Sequence, residues 1–441
     1  MITEINNSLY DQFIADFEER AARIENESVY SLRKKAMEQF KLLGFPSTKV
    51  EDWKYTNVMP FLSADFTFKQ PVNTNTTEVG IQQFRIAALE CYQIVLLNGE
   101  YQPQLSDEIV NKNISVTSLK ESYQEETFQK NFGQQLNLNK HHFGALNTAF
   151  FKDGLFITTK DNAVAEKPLH IIYLFDSDAN LFIQPRHLFV FGKNSNTTLI
   201  ETYVAANVNS KVFINSVSEI TMGENASLHH YNIQTPHDGT VLINHTEVNQ
   251  KDSSCYNNYC TSFPGADLIR NNLNVALEGE NIGSHLYGLY LVADKQLIDN
   301  HTLVDHRKPH CQSNELYKGV MKENALGVFN GKVLVRKDAQ KTNAFQQNNN
   351  LMLSSSAVIE SKPQLEIFAD DVKCSHGSTV GRFNEDALFY LRSRGISEEQ
   401  AIALLINAFV FDVTEKIPIP AIQLHINKLI EQSLNELETV S

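Results

Sequence analysis

Between about residues 155 and 372 the chain is a succession of short apolar runs: LFITT, LHIIYLF, HLFVFG, TTLIETYVA, VFINSVSEITM, SLHHYNIQ, VLINHTEV, NNLNVALEG, SHLYGLYLVA, LGVFNGKVLV, LMLSSSAVIE and PQLEIFA. Period-two alternation or β-branched enrichment in each predicts about a dozen strands, with almost no helical spacing between them. A polar turn punctuates the series: GKNSN begins at 192, GENAS at 223, QKDSS at 250 and GENIG at 279, in steps of 31, 27 and 29 residues. KENAL follows at 322 after a longer gap. A repeat of about 20 to 50 residues means one supersecondary unit stacked on the next. With no helices to serve as crossovers, the expected stack is a parallel β-helix. A two-sheet antiparallel sandwich is the rival, but this strand region is long for one.

Helical periodicity flanks the strands. Tyr10, Phe13, Ile14 and Phe17, then Ala36, Phe40 and Leu43, mark amphipathic helices up to a stop at Gly44. In KVEDWKYTNVMPFL, Trp53 is expected to anchor this cap to the body, and the Thr/Asn-rich stretch 68–80 reads as an exposed connection. A strand is expected at Gln93–Leu97, and helices near Ser118–Phe132 and His141–Phe150. After residue 372 the period returns to 3.6. Asn384 is a plausible N-cap for a helix that Gly395 ends, Ser397 with Gln400 opens another, and a third follows IPIP at 417–420. The expected division is a helical region and connection over 1–90, a β-helix over 91–373 and a helical domain over 374–441.

Composition adds limits. The 441 residues carry a formal charge of -14, which argues against nucleic acid or an anionic membrane as a general partner. The first residues, MITEINNSLYDQF, lack a basic and apolar leader pattern, and no window approaches 18 apolar residues, so a cytoplasmic protein is expected. Five scattered cysteines, none in a CxxC pair, read as reduced thiols. There is no GxxxxGKS/T, GxGxxG, HExxH or GxSxG motif.

Candidate chemistry concentrates in FADDVKCSHGSTVGRFNEDALFYLRSRG, residues 368–395. Cys374 and His376 lie two apart, so on an extended backbone they share a face, and a thiolate with an imidazole suits iron or zinc. Two ligands cannot close a tetrahedral site, so any metal held here takes further ligands from elsewhere. Packing of both residues at a strand end is the plain alternative, and a Cys–His nucleophile the enzymatic one. Asp370 and Asp371 alternate faces and read as turn carboxylates. Of the histidines, His306 and His310 beside Cys311 could converge in stacked coils, or DHRKPH could be a polar turn. His285 and His301 lie in the same stretch. The adjacent rings of His141 and His142 point apart and neither is expected as a metal ligand, while His229, His230 and His245 each lack a visible partner.

DDVKCSHGSTVGRFNEDALFYLRSRGIS, with HTLVDHRKPHCQSNELYKGVM, GKVLVRKDAQKTNAFQQNNNLMLSS and EDWKY, resembles the SufB/SufD family of SUF iron–sulfur cluster assembly subunits, on its SufD side. The resemblance is densest over about residues 300–410 and implies a right-handed parallel β-helix between helical regions. It implies a scaffold rather than an enzyme, paired with SufB through the end of the β-helix and docked to the ATPase SufC through the C-terminal helices. His376 would then be an interface ligand to a transient cluster or iron shared with SufB, with Cys374 its companion, and no cofactor is expected tightly bound to the isolated chain. The SufC surface would include Asn384, Glu385, Leu388, Phe389, Tyr390, Arg394 and Ala401. Alone, the chain could form a homodimer through the edge that SufB would cover. A SufB-like paralogue is the nearest alternative, but Gln346, Gln347 and asparagines 348–350 stand where SufB is expected to carry a cysteine. Cys374-Ser375-His376 likewise replaces its Glu-His-Glu. A polysaccharide-active β-helix enzyme is the other alternative, and lacks an evident column of acids.

Overall fold

The fold is that of a computed structural model, which describes residues 2–21, 27–63, 66–67, 78–206, 210–382 and 384–439. Most of the Thr/Asn-rich stretch expected as a connection, residues 68–77, lies outside them.

The apolar runs are strands of a parallel β-solenoid of about eight turns. One sheet passes through Tyr92–Leu97, Leu169–Phe175, Asn196–Ala205, Ser227–Gln234, Cys255–Ser262, Gly283–Val292, Gln312–Met321, Asn343–Met352 and Lys373–Gly381. The facing sheet runs through Leu155–Thr159, Arg186–Phe191, Val212–Met222, Thr240–Gln250, Leu268–Leu277, Leu297–His306, Leu326–Val335 and Val358–Ile367. Antiparallel pairing is confined to the N-terminal end, where Glu100–Tyr101 and Ile114–Ser118 close the two sheets. Parallel register therefore excludes the sandwich. The last rung, Lys373–Gly381, reaches past the expected boundary at 373, so Cys374 and His376 stand on the solenoid rather than in the helical unit.

The repeated turn has a backbone cause. Asn162, Asn194, Asn225, Ser253, Asn281, His310 and Lys341 all adopt φ between 55° and 62°, the left-handed region that Asn tolerates better than most residues. Each rung's turn is stitched to the next: Asn225 Nδ2 donates to Asn194 Oδ1 at 2.9 Å, and Asn194 Nδ2 to Asn162 Oδ1 at 2.8 Å. KENAL belongs to the opposite corner, where Asp294 and Glu323 hold the left-handed position. The turn that follows GENIG on its own corner is the one containing His310.

Alternation sends Leu242, Val248, Leu286 and Tyr290 into the solenoid interior. Outward residues of the second sheet, Phe182, Phe213, Val241, Ile243 and Leu268, meet the N-terminal cap. That cap comprises α1 (Ile2–Ala21) and α2 (Glu27–Leu43), followed along the chain by α3 (Glu78–Ile81), α4 (Glu126–Asn131) and α5 (His142–Phe150). The expected Ser118–Phe132 helix is shorter because Leu119–Ser122 forms a 3-10 turn. Trp53 anchors the cap as expected, with the Arg270 guanidinium 3.9 Å from its ring centroid and Phe143 beside it at 5.4 Å. At the other end come α6 (Glu385–Ser393), α7 (Glu398–Thr414) and α8 (Pro420–Thr439). Ile406, Val410, Val413, Ile422 and Ile426 of α7 and α8 pack on the outer face of the first sheet at Tyr231, Leu289 and Val320. No described helix is long and apolar enough to cross a membrane.

Candidate functional site

The C-terminal end of the solenoid is open. Strand Lys373–Gly381 pairs on one side only, with Asn343–Met352, and Val358–Ile367 is likewise the edge of its sheet. Cys374 lies in register with Ala344 and His376 with Gln346; both partners are buried, so the thiol and the imidazole top two interior columns. The shared face expected from their spacing is present. Cys374 is half-buried against Val333, Ala344 and Ala369, and burial raises its thiol above the ordinary value despite the backbone hydrogen bond from Ala344. His376 is exposed. No third Cys, His, Asp or Glu among the described residues joins these two as a ligand group. Beneath His376, Gln346 Nε2 donates at 2.6 Å to Glu315, a buried carboxylate that also accepts from Thr302 at 2.5 Å. Burial pushes the Glu315 carboxyl up to about 7. Asp371 serves its turn, pairing with Lys341 and accepting the Lys341 backbone N–H at 2.7 Å through its carbonyl.

Three residues, 382–384, connect this edge strand to α6. Asn384 caps α6 by accepting from the backbone N–H groups of Asp386 and Ala387 at 3.0 and 3.3 Å, and Ser397 caps α7 by accepting from Gln400 N–H. No residue of α6 is buried. Phe389 is 74% exposed and Tyr390 56%, with the Arg394 guanidinium 5.2 Å from the Tyr390 ring. Asn384 and Glu385 are exposed and Leu388 is half-buried. Ala401 is a correction: it lies fully buried in the first turn of α7 and cannot belong to an outer surface. On the inner side, Lys318 reaches from the first sheet to the Phe409 carbonyl at 2.6 Å and the Asp412 carboxylate at 2.5 Å, fixing α7 to the solenoid.

The other histidines separate. His306 bonds Ser313 Oγ at 2.8 Å, His310 is the left-handed turn residue, and the Cys311 thiol donates to the Gly279 carbonyl at 3.2 Å. DHRKPH is therefore a turn rather than a ligand set. His230 does have a partner, Glu201 at 2.5 Å inside the solenoid. His141 and His142 do point apart: His142 Nδ1 meets the Gly44 carbonyl at 2.9 Å, whereas the His141 ring packs 4.4 Å from that of His245. His245 Nε2 lies 2.8 Å from Glu247 Oε1. These three form the one group among the described residues whose ligand atoms lie within 4.8 Å of one another. They line a cavity of about 460 Å³ between cap and solenoid. The sequence carried half of this signal, because His245 and Glu247 alternate onto one strand face. The approach of His141, more than 100 residues away, had no local sign.

Known proteins resemble the chain over most of its length. Residues 173–409 match the family described as SUF system FeS cluster assembly, SufBD core domain, and residues 7–171 match the SufBD protein N-terminal region. An iron–sulfur cluster assembly SufBD family protein of Synechocystis is 32% identical over 412 residues, covering 90% of each chain. The iron–sulfur cluster assembly protein SufD of Escherichia coli is 29% identical, covering 86% of this chain and 87% of its own. That of Bacillus subtilis is 26% identical, covering 97% and 98%.

Proposed function

The chain belongs to the SufBD family of SUF-system iron–sulfur cluster assembly proteins, and from that premise we propose that it is the SufD-type scaffold subunit. Its partner at the open solenoid end is SufB, and the cluster is cargo built across that junction. The observation that carries this reading is the edge strand Lys373–Gly381, paired on one side only, which presents His376 at an open end with no third ligand among the described residues. SufB would supply the remaining ligands, and Cys374, half-buried, would line the site beside His376.

The α6–α7 surface fits docking of the ATPase SufC, since Phe389 and Tyr390 are large apolar groups left in solvent on a helix three residues from the edge strand. ATP-driven association of two SufC copies would move these helices and open the junction. The Lys318 link to α7 offers a second route into the sheet that ends in His376. The working form is cytoplasmic and, in the absence of SufB, the same edge would support a homodimer, because an unpaired strand edge recruits another.

The test is His376→Ala in the complex with SufB and SufC, purified anaerobically. Bound iron and sulfide are expected to fall to a small fraction of the wild-type content while the complex stays assembled. Normal cluster content would remove His376 from the site.

A further inference from the structure

We propose that His141, His245 and Glu247 form a binding site for a borderline divalent transition-metal ion, Fe2+ or Zn2+ in class, at the seam between the N-terminal cap and the solenoid. The site is distinct from the open end and does not rest on the scaffold reading.

Placement comes first. On strand Thr240–Gln250, Leu242 and Val248 face the interior while Val241 and Ile243 face the cap, so His245 and Glu247 continue the outward face. His141 is the N-cap of α5, a helix in which every residue is buried. A rigid element therefore delivers its ring to the strand. Ligands around an ion with bonds of about 2.0–2.2 Å sit roughly 3.0–3.5 Å apart. The three ligand atoms lie within 4.8 Å of one another and one pair is already at 2.8 Å, so about 1 Å of side-chain adjustment seats the ion. Asn274 Nδ2 donates to Glu247 Oε1 at 2.8 Å, the kind of outer contact that orients a ligating carboxylate.

Charge points the same way. Arg270 is paired with Asp299, Arg307 and Arg336 with Asp305, Lys332 with Glu366, and nearby Arg186 with Glu219. Glu247 instead is hydrogen-bonded by His245 and Asn274, with Lys140 the remaining cation that lines the cavity, and a largely buried carboxylate without an Arg or Lys ion pair is costly. A divalent ion supplies that charge, and the proton shared by His245 Nε2 and Glu247 leaves as it binds. Two imidazoles with one carboxylate select Fe2+ or Zn2+ over Mg2+ or Ca2+, and three ligands leave coordination positions open toward the cavity.

The test is titration of the full-length, chelator-treated chain with Co2+, read by visible d–d absorption. One tight equivalent is expected, without thiolate-to-cobalt charge transfer and displaced by Zn2+. His141→Ala and Glu247→Gln should each weaken it at least tenfold, with both variants still showing a cooperative metal-free unfolding transition. Zn2+ should raise the unfolding temperature of the wild type but not of His141→Ala. His376→Ala should leave the titration unaltered, which separates this site from the open end. The proposal is overturned by the absence of a tight equivalent, by unchanged binding in both variants, or by a thiolate charge-transfer band assigning the ion to a cysteine.

Discussion

Glu315 shows how much the setting of one residue decides. In sequence it is an ordinary glutamate in QSNELYKG; in the solenoid it lies two rungs below His376 on the same column, with the neutral groups of Thr302 and Gln346 as partners. Its carboxyl is pushed up to about 7 by burial, from an ordinary value of 4.5. The folded chain then keeps a proton that the unfolded chain releases above about pH 4.5. The stability this contributes is complete below that pH and is lost as pH rises through about 7, amounting to about 3 kcal/mol in all. Glu315→Gln is expected to stabilise the protein at pH 8 by about 2–3 kcal/mol and to leave it within about 0.5 kcal/mol at pH 4. The Gln346 Oε1, which has no partner, can turn to accept from the new amide. Denaturant unfolding at the two pH values checks this, and an equal shift at both would refute the assignment. Cys374 and His376 were legible because their spacing alone implies a common face. Glu315 was not, because nothing local distinguishes an inward from an outward glutamate in an unplaced strand.

At the scale of the element, the corner turns carry the repeat. Their polar character was readable, and so was a spacing that matches the side-chain ladder of the structure, whose partners are 31 and 32 residues apart. The assignment of KENAL to the same series was not correct, because two corners alternate along the chain and a period alone does not say which is which. The left-handed backbone at Asn225 gives a direct test. Asn225→Ala keeps a Cβ at a left-handed φ, which costs about 1–2 kcal/mol, and loses the side-chain amide that makes Asn tolerant of it, while Asn225→Gly removes that strain and loses only the exposed ladder bond. Urea unfolding is expected to show Ala as the more destabilising change by about 1 kcal/mol. Equal effects would mean that the ladder, not the backbone, sets the turn.

For the whole molecule, two apolar exposures lie close together in the chain. Val358, Ile367, Phe368 and Val380 border the open edge, and Phe389, Tyr390, Leu404 and Phe411 lie on the outer helices. If they serve different partners, they should fail independently. Phe389→Asp is expected to lose SufC from the purified complex and retain SufB, whereas Val380→Lys should weaken SufB association and any homodimer while retaining SufC. Both sites are exposed, so the fold should tolerate either change within about 0.5 kcal/mol. Loss of both partners from either variant would contradict the separation.

The sequence by itself determined the strand-rich middle, its helical ends, the polar turns and the common strand face of Cys374 and His376, because each rests on periodicity or spacing within a few residues. Only the tertiary structure decided that Lys373–Gly381 is the last rung, that Ala401 is inside, and that His141 meets His245 and Glu247. Those facts depend on which rungs stack and which faces the cap covers, and such long-range packing leaves no local pattern in the chain.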